Sequence, residues 1–441
     1  MRTLIVGAGP SGLLLGAALA RRGHEVVLVD RDPGPTGDTW SRRGVMQFEH
    51  AHAFRPQVAM ALEEEWPEAL DAWLALGAEP VEVANPVGSR SVRIVRSRRS
   101  TFERALRGAA TQHPGLALRA GHVDGLVLDR GRVTGVRIGG SVVEADVVVD
   151  ASGRAGRLNP SRGQDLDLDG DCGLAYVDRT YRLNPGAEPG PMQNPMAWIA
   201  DFVGYQCLLF LHEAGHFSVV LIRPTADAAL KALHDEAAFD AACRAVPTLA
   251  EWTDPGRAHP TSPVLVGAGL RNVYHRQAGV PGLVALGDSV GTTTPTRGRG
   301  IAMACVQVSA LLALLDDGAD PVEVAGPFGA WCEESVEPWV ADHIAIDGGM
   351  VRRWQGEDLD LTVPLTSDLI AAAVEADPRI GRHAAGYFAM TALPETLWPA
   401  EPWARAVYET GWRPPYADGP TRDELVEVIG RAAATGATRD R

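Results

Sequence analysis

The sequence predicts an α/β protein with an α+β insert: a mixed-sheet domain comes first, an antiparallel sheet interrupts it, and helices end the chain. Three observations carry this prediction. A short β-branched strand runs into Gly7-Ala8-Gly9-Pro10-Ser11-Gly12 and then a helix, and the same strand–turn–helix pattern returns at Gly282-Leu283-Val284-Ala285-Leu286. Between the two, from Cys172 to Arg223, apolar residues alternate as they do in antiparallel strands. The last hundred or so residues are helical stretches punctuated by prolines.

Composition narrows the possible functions. The 441 residues suit two closely packed domains, with 46% apolar and 22% charged residues. A net charge of -15 argues against nucleic acid and against an anionic membrane surface, because both require local cationic excess. Five cysteines without a C-x-x-C spacing read as reduced buried thiols, and exclude the cysteine pair of a flavin disulfide reductase. No leader pattern and no spanning apolar run occurs, so a cytoplasmic location is expected.

Each element follows in order. Strands at residues 3–6 and 25–29 flank a helix at 13–22, a βαβ unit ending on Asp30. Gly7 permits the tight turn, Gly9 the close approach of backbone to a pyrophosphate, and Gly12 close helix–strand packing, with Pro10 and Ser11 opening the helix. Asp30, with Arg31 beside it, can hold ribose hydroxyls. Together these make a Rossmann-like dinucleotide fold. One helix is predicted over 57–75 and another over 100–110. Strands at 116–120, 123–129, 132–138 and 145–149 read as one meander. Strands at 206–211 and 217–222 turn at Gly215, and a helix covers 227–245. A long apolar helix runs over 300–315, and the tail after Gly430 reads as frayed.

The second nucleotide loop is Gly287-Asp288, followed by Pro295-Thr296-Arg297-Gly298-Arg299-Gly300. Asp288 can accept bonds from ribityl hydroxyls, and the helix start at Gly300 can face the pyrimidine edge of a flavin, where charge accumulates on reduction. The two loops together select FAD.

On these motifs the chain resembles the flavoprotein monooxygenases of the p-hydroxybenzoate hydroxylase-like superfamily, over roughly its first three quarters. The resemblance places Arg99, which opens Arg99-Ser100-Thr101-Phe102 with Leu106, and Arg43 on the flavin nucleotide, the backbone of Val123 near the adenine, and Pro295, Gly298 and Gly300 beside the isoalloxazine ring. It implies a FAD-binding domain over 1–165 that resumes at 269–330, a substrate-binding sheet domain at 166–268, and a C-terminal helical region at 331–441. One departure is Ser152-Gly153, where the aromatic hydroxylases carry Asp-Gly. That version looks more like epoxidases and related reductases, so electrons would come from transiently bound NAD(P)H or from a separate flavin reductase. The single lysine, Lys231, lies in a polar helical stretch, and Ala197-Trp198-Ile199 is not a W-x-W-x-I-P motif, so halogenation is not expected.

The function implied is insertion of one oxygen atom from O₂ into an apolar or aromatic small molecule, by hydroxylation or epoxidation. The alternative is a FAD-dependent C=C reductase or dehydrogenase that incorporates no oxygen. Candidate catalytic residues are His52, as general acid or base, and Arg297 and Arg299, which flank the flavin loop. His50 is a candidate substrate donor, and no third ligand accompanies the two histidines, so no metal is expected. Trp198, Tyr205, Phe210 and Phe217 are candidate pocket walls in the inserted sheet. Trp339, His343, Trp354 and Tyr387 could close the pocket from the C-terminal helices, although aromatic residues at strand spacing also serve as plain core.

Overall fold

The computed structural model of the protein describes residues 1–37, 40–42, 44–85, 87–88, 91–154, 156, 158–160 and 168–436. Its frame is a five-stranded parallel sheet in the order Leu283–Ala285, Val147–Asp150, Arg2–Val6, Glu25–Asp30 and Leu116–Ala120. These strands are Val- and Leu-rich because both faces are covered. On one face Ile5, Leu28 and Val149 share a core with helices Pro10–Arg21, Arg99–Gln112 and Gly300–Asp316. On the other, Leu4, Val29, Val148 and Leu283 pack on Val133, Val136 and Ile138.

That second layer corrects the predicted meander. The segments at 116–120 and 145–149 join the parallel sheet, beside the strands of Asp30 and Thr3 respectively. The antiparallel sheet is instead Val123–Asp129, Arg132–Ile138 and Ser141–Glu144, which stands apart, so among the described residues the nucleotide sheet is parallel rather than mixed. Val147–Asp150 is buried at every position, and an apolar run without alternation belongs to a strand covered on both faces.

Two predicted helices are divided. Pro67 has no N–H and its ring displaces the carbonyl four residues back, so Pro56–Glu65 ends and Pro67–Ala75 begins there. Asp235 accepts a bond from the Ala238 N–H at 2.9 Å and so starts helix Glu236–Ala245, leaving Leu230–His234 as a 3₁₀ turn. Lys231 is exposed on that turn. A hairpin of Glu79–Val83 and Val92–Arg96 had no counterpart in the sequence reading.

The insert is a six-stranded sheet whose main path runs Ala197–Phe202, Tyr205–Leu211, His216–Pro224, Leu174–Leu183 and Ala258–Pro260, with Leu265–Gly267 also on Leu174–Leu183. One face packs on Glu236–Ala245 and on the last helix, Arg422–Gly436. Leu425 and Ile429 of that helix are fully buried, so the chain does not fray at Gly430. The other face carries Tyr176, Leu208 and Phe210 toward Met46 and Ala51, and toward Met350 and Trp354 of helix Glu337–Trp354. Among the described residues no helix is long and apolar enough to cross a membrane.

The last helix is therefore part of the insert's core. Leu425→Ala should lower stability by about 2–5 kcal/mol, whereas Glu427→Gln on its exposed side should change it by less than about 0.5 kcal/mol. Urea unfolding of the two variants checks this; equal midpoints would show that the helix is not packed.

Candidate active site

The two nucleotide loops meet. Gly7 has φ +108°, and a Cβ there would lie 2.2 Å from the Ala151 carbonyl oxygen; at Gly12 it would lie 2.0 Å from that of Gly7. Both glycines are required by the backbone around them. Gly287, at φ +68°, would place a Cβ 2.7 Å from the Ser11 hydroxyl, so the C-terminal loop rests on the first turn of the N-terminal helix. Gly9 differs. It is extended, and within 4 Å its Cβ would meet only the Arg42 guanidinium, at 3.8 Å. The cradle above Gly9 is thus bordered by a cation and by the N-terminus of helix Pro10–Arg21, which no side chain caps.

Asp30 lies where a ribose-binding carboxylate is expected, and it is held in place. It accepts bonds from the Ala8 N–H (2.7 Å), the Asp32 N–H (2.9 Å) and Arg42 (2.7 Å), and pairs with Arg107 at 3.2 Å. Arg42 also donates to Glu103 at 2.6 Å, and Arg99 donates to Glu103 at 2.6 Å. Burial alone would raise the Glu103 carboxyl, but Arg99 and Arg42 hold it below the usual range. Sequence reading named Arg99 but missed Arg42, Arg107 and Glu103. The available signal was Glu103 four residues after Arg99, on the same helix face. Arg43 lies outside the described residues. Arg31 is exposed, beside Gly44. Val123 opens its strand just past Gly121, whose N–H bonds the Asp30 carbonyl at 2.8 Å.

At the other loop, the Asp288 side chain has no hydrogen-bond partner among the described residues. Burial raises its pKa, and the charges of Arg99 and Arg154 act against that rise. Gly298 takes the left-handed conformation at φ 60° that ends the Pro295–Arg297 turn, and Gly300 then opens an uncapped helix. An unpaired carboxylate, an uncapped helix start and an open glycine with two arginines nearby fit the ribityl, pyrimidine and pyrophosphate groups of a flavin dinucleotide.

The segment from Met46 to Arg55 crosses from this cradle to the insert. Asp178, on the inner face of strand Leu174–Leu183, accepts from His50 Nδ1 at 2.5 Å and from the Ala51 N–H at 2.9 Å. Because a carboxylate only accepts, Nδ1 carries the proton, and in the neutral ring Nε2 presents a lone pair. That nitrogen makes no bond among the described residues, and the His50 side chain is 16% exposed. Burial pulls the His50 pKa down, but the bond to Asp178 outweighs it, and the net shift is upward. His52 has the opposite surroundings. Its Nε2 faces Arg99 at 3.2 Å and its Nδ1 the His50 carbonyl at 3.0 Å. Burial, then the Arg99 charge, depresses its pKa to about 3, so it is neutral and positions Arg99. The arrangement suited to general base chemistry is therefore at His50, not His52; the missed partner was Asp178, which follows the apolar run Leu174–Val177 of its strand.

Other candidates separate by strand alternation. Trp198, Tyr205 and Phe217 face the insert's own core, where the Tyr205 hydroxyl bonds the Pro420 carbonyl at 2.7 Å. They do not line the site. Phe210, on the alternate face, does border it, as does Trp354. Arg299 is 1% exposed, paired with Asp342 at 3.0 Å and placed between the Trp339 and Tyr387 rings, 4.4 and 4.6 Å from their centroids. Its charge is committed to packing rather than to a reacting group. Arg297 makes no such pair.

A model of NAD(P)-binding Rossmann-like domains matches residues 5–66. No curated protein matches the sequence. Among solved structures, a triple mutant of the flavin-dependent brominase Bmp2 superposes with a TM-score of 0.64 at 16% identity, over 93% of this chain and 99% of that one. PqsL of Pseudomonas aeruginosa in complex with 2-aminobenzoylacetate gives 0.57 at 17% identity, over 81% and 98%. The tetracycline destructase Tet(55) gives 0.53 at 16%, over 89% and 98%. At these identities the likeness establishes a shared fold.

The glycines yield a separable test. Gly9→Ala should leave the unfolding midpoint of the flavin-free protein in place yet weaken FAD binding at least about tenfold, since its methyl projects where the phosphates must approach. Gly12→Ala should instead cost about 1–3 kcal/mol of stability before any ligand is added. Flavin fluorescence titration and urea unfolding measure both; unchanged FAD affinity in Gly9→Ala would place the cofactor elsewhere.

Proposed function

We propose that the protein is a FAD-dependent monooxygenase that puts one oxygen atom from O₂ into an apolar or aromatic small molecule, by hydroxylation or epoxidation. The observation that carries this reading is the His50–Asp178 pair, set on the insert sheet by the same segment that contacts the cradle at Arg99 and the Gly298 loop. The reading is supported by the shared fold with a flavin-dependent brominase and with PqsL, which is solved with an aromatic small molecule.

When bound, FAD would supply the redox chemistry, taking up two electrons and passing them to O₂. The chain's own residues hold, shield and move protons. Gly9, Arg42 and Arg99 receive the pyrophosphate, Asp30 the ribose, Asp288 the ribityl chain, and the first turn of helix Gly300–Asp316 the pyrimidine edge. Leu208, Phe210 and Trp354 exclude water beside the substrate. His50 Nε2 accepts the proton of an acidic substrate hydroxyl, and Asp178 stabilises the imidazolium that results. Electrons arrive from NAD(P)H bound transiently or from a separate flavin reductase, and Ser152 favours the latter.

Turnover under ¹⁸O₂ should give product carrying one ¹⁸O atom; unlabelled product would replace this reading with the C=C reductase. Under anaerobic conditions the bound flavin should resist NADH and NADPH and bleach once a flavin reductase is added, whereas direct bleaching would show a self-sufficient enzyme.

His50→Gln should slow oxygenation of a phenolic substrate by roughly 10²–10⁴-fold with FAD affinity intact. The raised pKa means that the base is free only above the ordinary histidine value of 6.5, so activity should be lost as pH falls through that raised value. Asp178→Asn removes the charge that favours the imidazolium and should move this limb to lower pH. A limb that stays in place in both variants would assign the base elsewhere.

A further inference from the structure

The helix that presents Arg99 does not cap itself. Helix Arg99–Gln112 follows Arg98, which is extended and whose side chain makes no capping bond. In a capping box the third helical residue is a Glu or Gln that accepts the N–H of the residue before the helix. Here the third residue is Thr101, and the carboxylate comes from Glu213, in the turn between insert strands Tyr205–Leu211 and His216–Pro224. Glu213 accepts from the Arg98 N–H at 2.8 Å, from Arg98 Nε at 2.9 Å and from the Thr101 hydroxyl at 2.5 Å. It is 2% exposed. Burial alone would raise its carboxyl, but the Arg98 charge and these bonds hold it below the usual range, so it is ionised at neutral pH.

The turn is built around this contact. Ala214 takes the left-handed conformation at φ 54°, which a residue with a Cβ rarely adopts, and its N–H donates to Glu79 at 3.0 Å. His216 Nδ1 donates to the Glu213 carbonyl at 3.1 Å, and the His212 N–H to the His216 carbonyl at 2.8 Å. Such strain persists only where the surroundings over-determine it. What the turn delivers is one carboxylate, across more than a hundred residues of chain, to Arg98 and Thr101, which bracket Arg99. Arg99 itself is gripped at its guanidinium by Glu103 at 2.6 Å and His52 at 3.2 Å. Glu213 instead grips the backbone from which that side chain departs. With root and tip both fixed, a long side chain has little freedom left to lose when a ligand arrives.

We propose that Glu213 is a positioning residue for FAD: by fixing the first turn of helix Arg99–Gln112 it holds Arg99 ready for the pyrophosphate, so that a turn of the insert completes the flavin cradle. This rests on the flavin reading of the site and goes beyond it, because it makes cofactor affinity depend on how the inserted sheet is docked.

The test measures FAD affinity by flavin fluorescence in a double-mutant cycle with Arg99. Glu213→Ala should weaken FAD binding at least about tenfold, and Glu213→Gln, which keeps an acceptor, should recover most of that loss. In an Arg99→Ala background, Glu213→Ala should weaken binding by less than about a further twofold, because the group it positions is gone. Leu425→Ala, whose side chain packs inside the insert's own core, should lower the melting temperature as much or more and leave FAD affinity within about twofold. Should Glu213→Ala not fold, Thr101→Val takes its place in the cycle, with a loss of about threefold expected. Unchanged FAD affinity in the variant overturns the proposal. So does an equal loss with and without Arg99, or a loss of the same size in Leu425→Ala. Failure of the wild-type protein to bind FAD sinks the flavin reading and this proposal with it, whereas wild-type binding that the variants leave unchanged sinks the proposal alone.

Discussion

The Asp178 carboxylate fixes how the insert meets the nucleotide fold. It is 1% exposed and receives two donors, His50 Nδ1 and the Ala51 N–H, from a segment 127 residues earlier in the chain. A buried carboxylate must be satisfied or neutralised, so its two acceptors hold that segment in one register. Everything downstream follows from the register. His52 reaches Arg99, Ala53 lies against Gly298, and Arg55 spans the carbonyls of Arg297 and Phe388. These contacts tie the insert, the start of helix Arg99–Gln112, the second loop and the C-terminal helices to the residues from His50 to Arg55.

A second constraint is electrostatic. Around the cradle, acids and arginines alternate: Asp30, Arg42, Glu103, Arg99. Each guanidinium is oriented by a carboxylate that is itself buried, which costs desolvation but removes the freedom of long side chains. Two arginines held this way are fixed in orientation, as the proposed contact with a pyrophosphate would require. Arg297 differs: among the described residues no carboxylate pairs with it directly, and more distant acids, Asp368 foremost, outweigh burial and raise its pKa.

Much of the fold was legible in the sequence. The glycine turn, the acid after the second strand, the second loop and the alternation of the insert are all local signals, since each reflects a backbone conformation or a solvent-facing period that a short window contains. The predicted strands at 123–129 and 132–138 agree with the structure to the residue. The errors arose where partners are distant. Strands 116–120 and 145–149 were placed with their sequence neighbours, but two-sided burial assigns them to the parallel sheet. Pro67 and Asp235 bound their helices by local chemistry, a missing N–H and a capping carboxylate.

The site divided in the same way. The sequence by itself signalled the dinucleotide cradle, because the close backbone approach that the turn makes at Gly7 and Gly12 leaves room only for glycine. Only the tertiary structure decided between His50 and His52. Both sit in one short polar stretch, and their difference is entirely in what faces them: a carboxylate that holds the proton on Nδ1 of one, and an arginine that keeps the other neutral. It likewise decided that Arg299 is packed while Arg297 is unpaired, since charge compensation is a property of three-dimensional neighbours and leaves no trace in residue type or spacing.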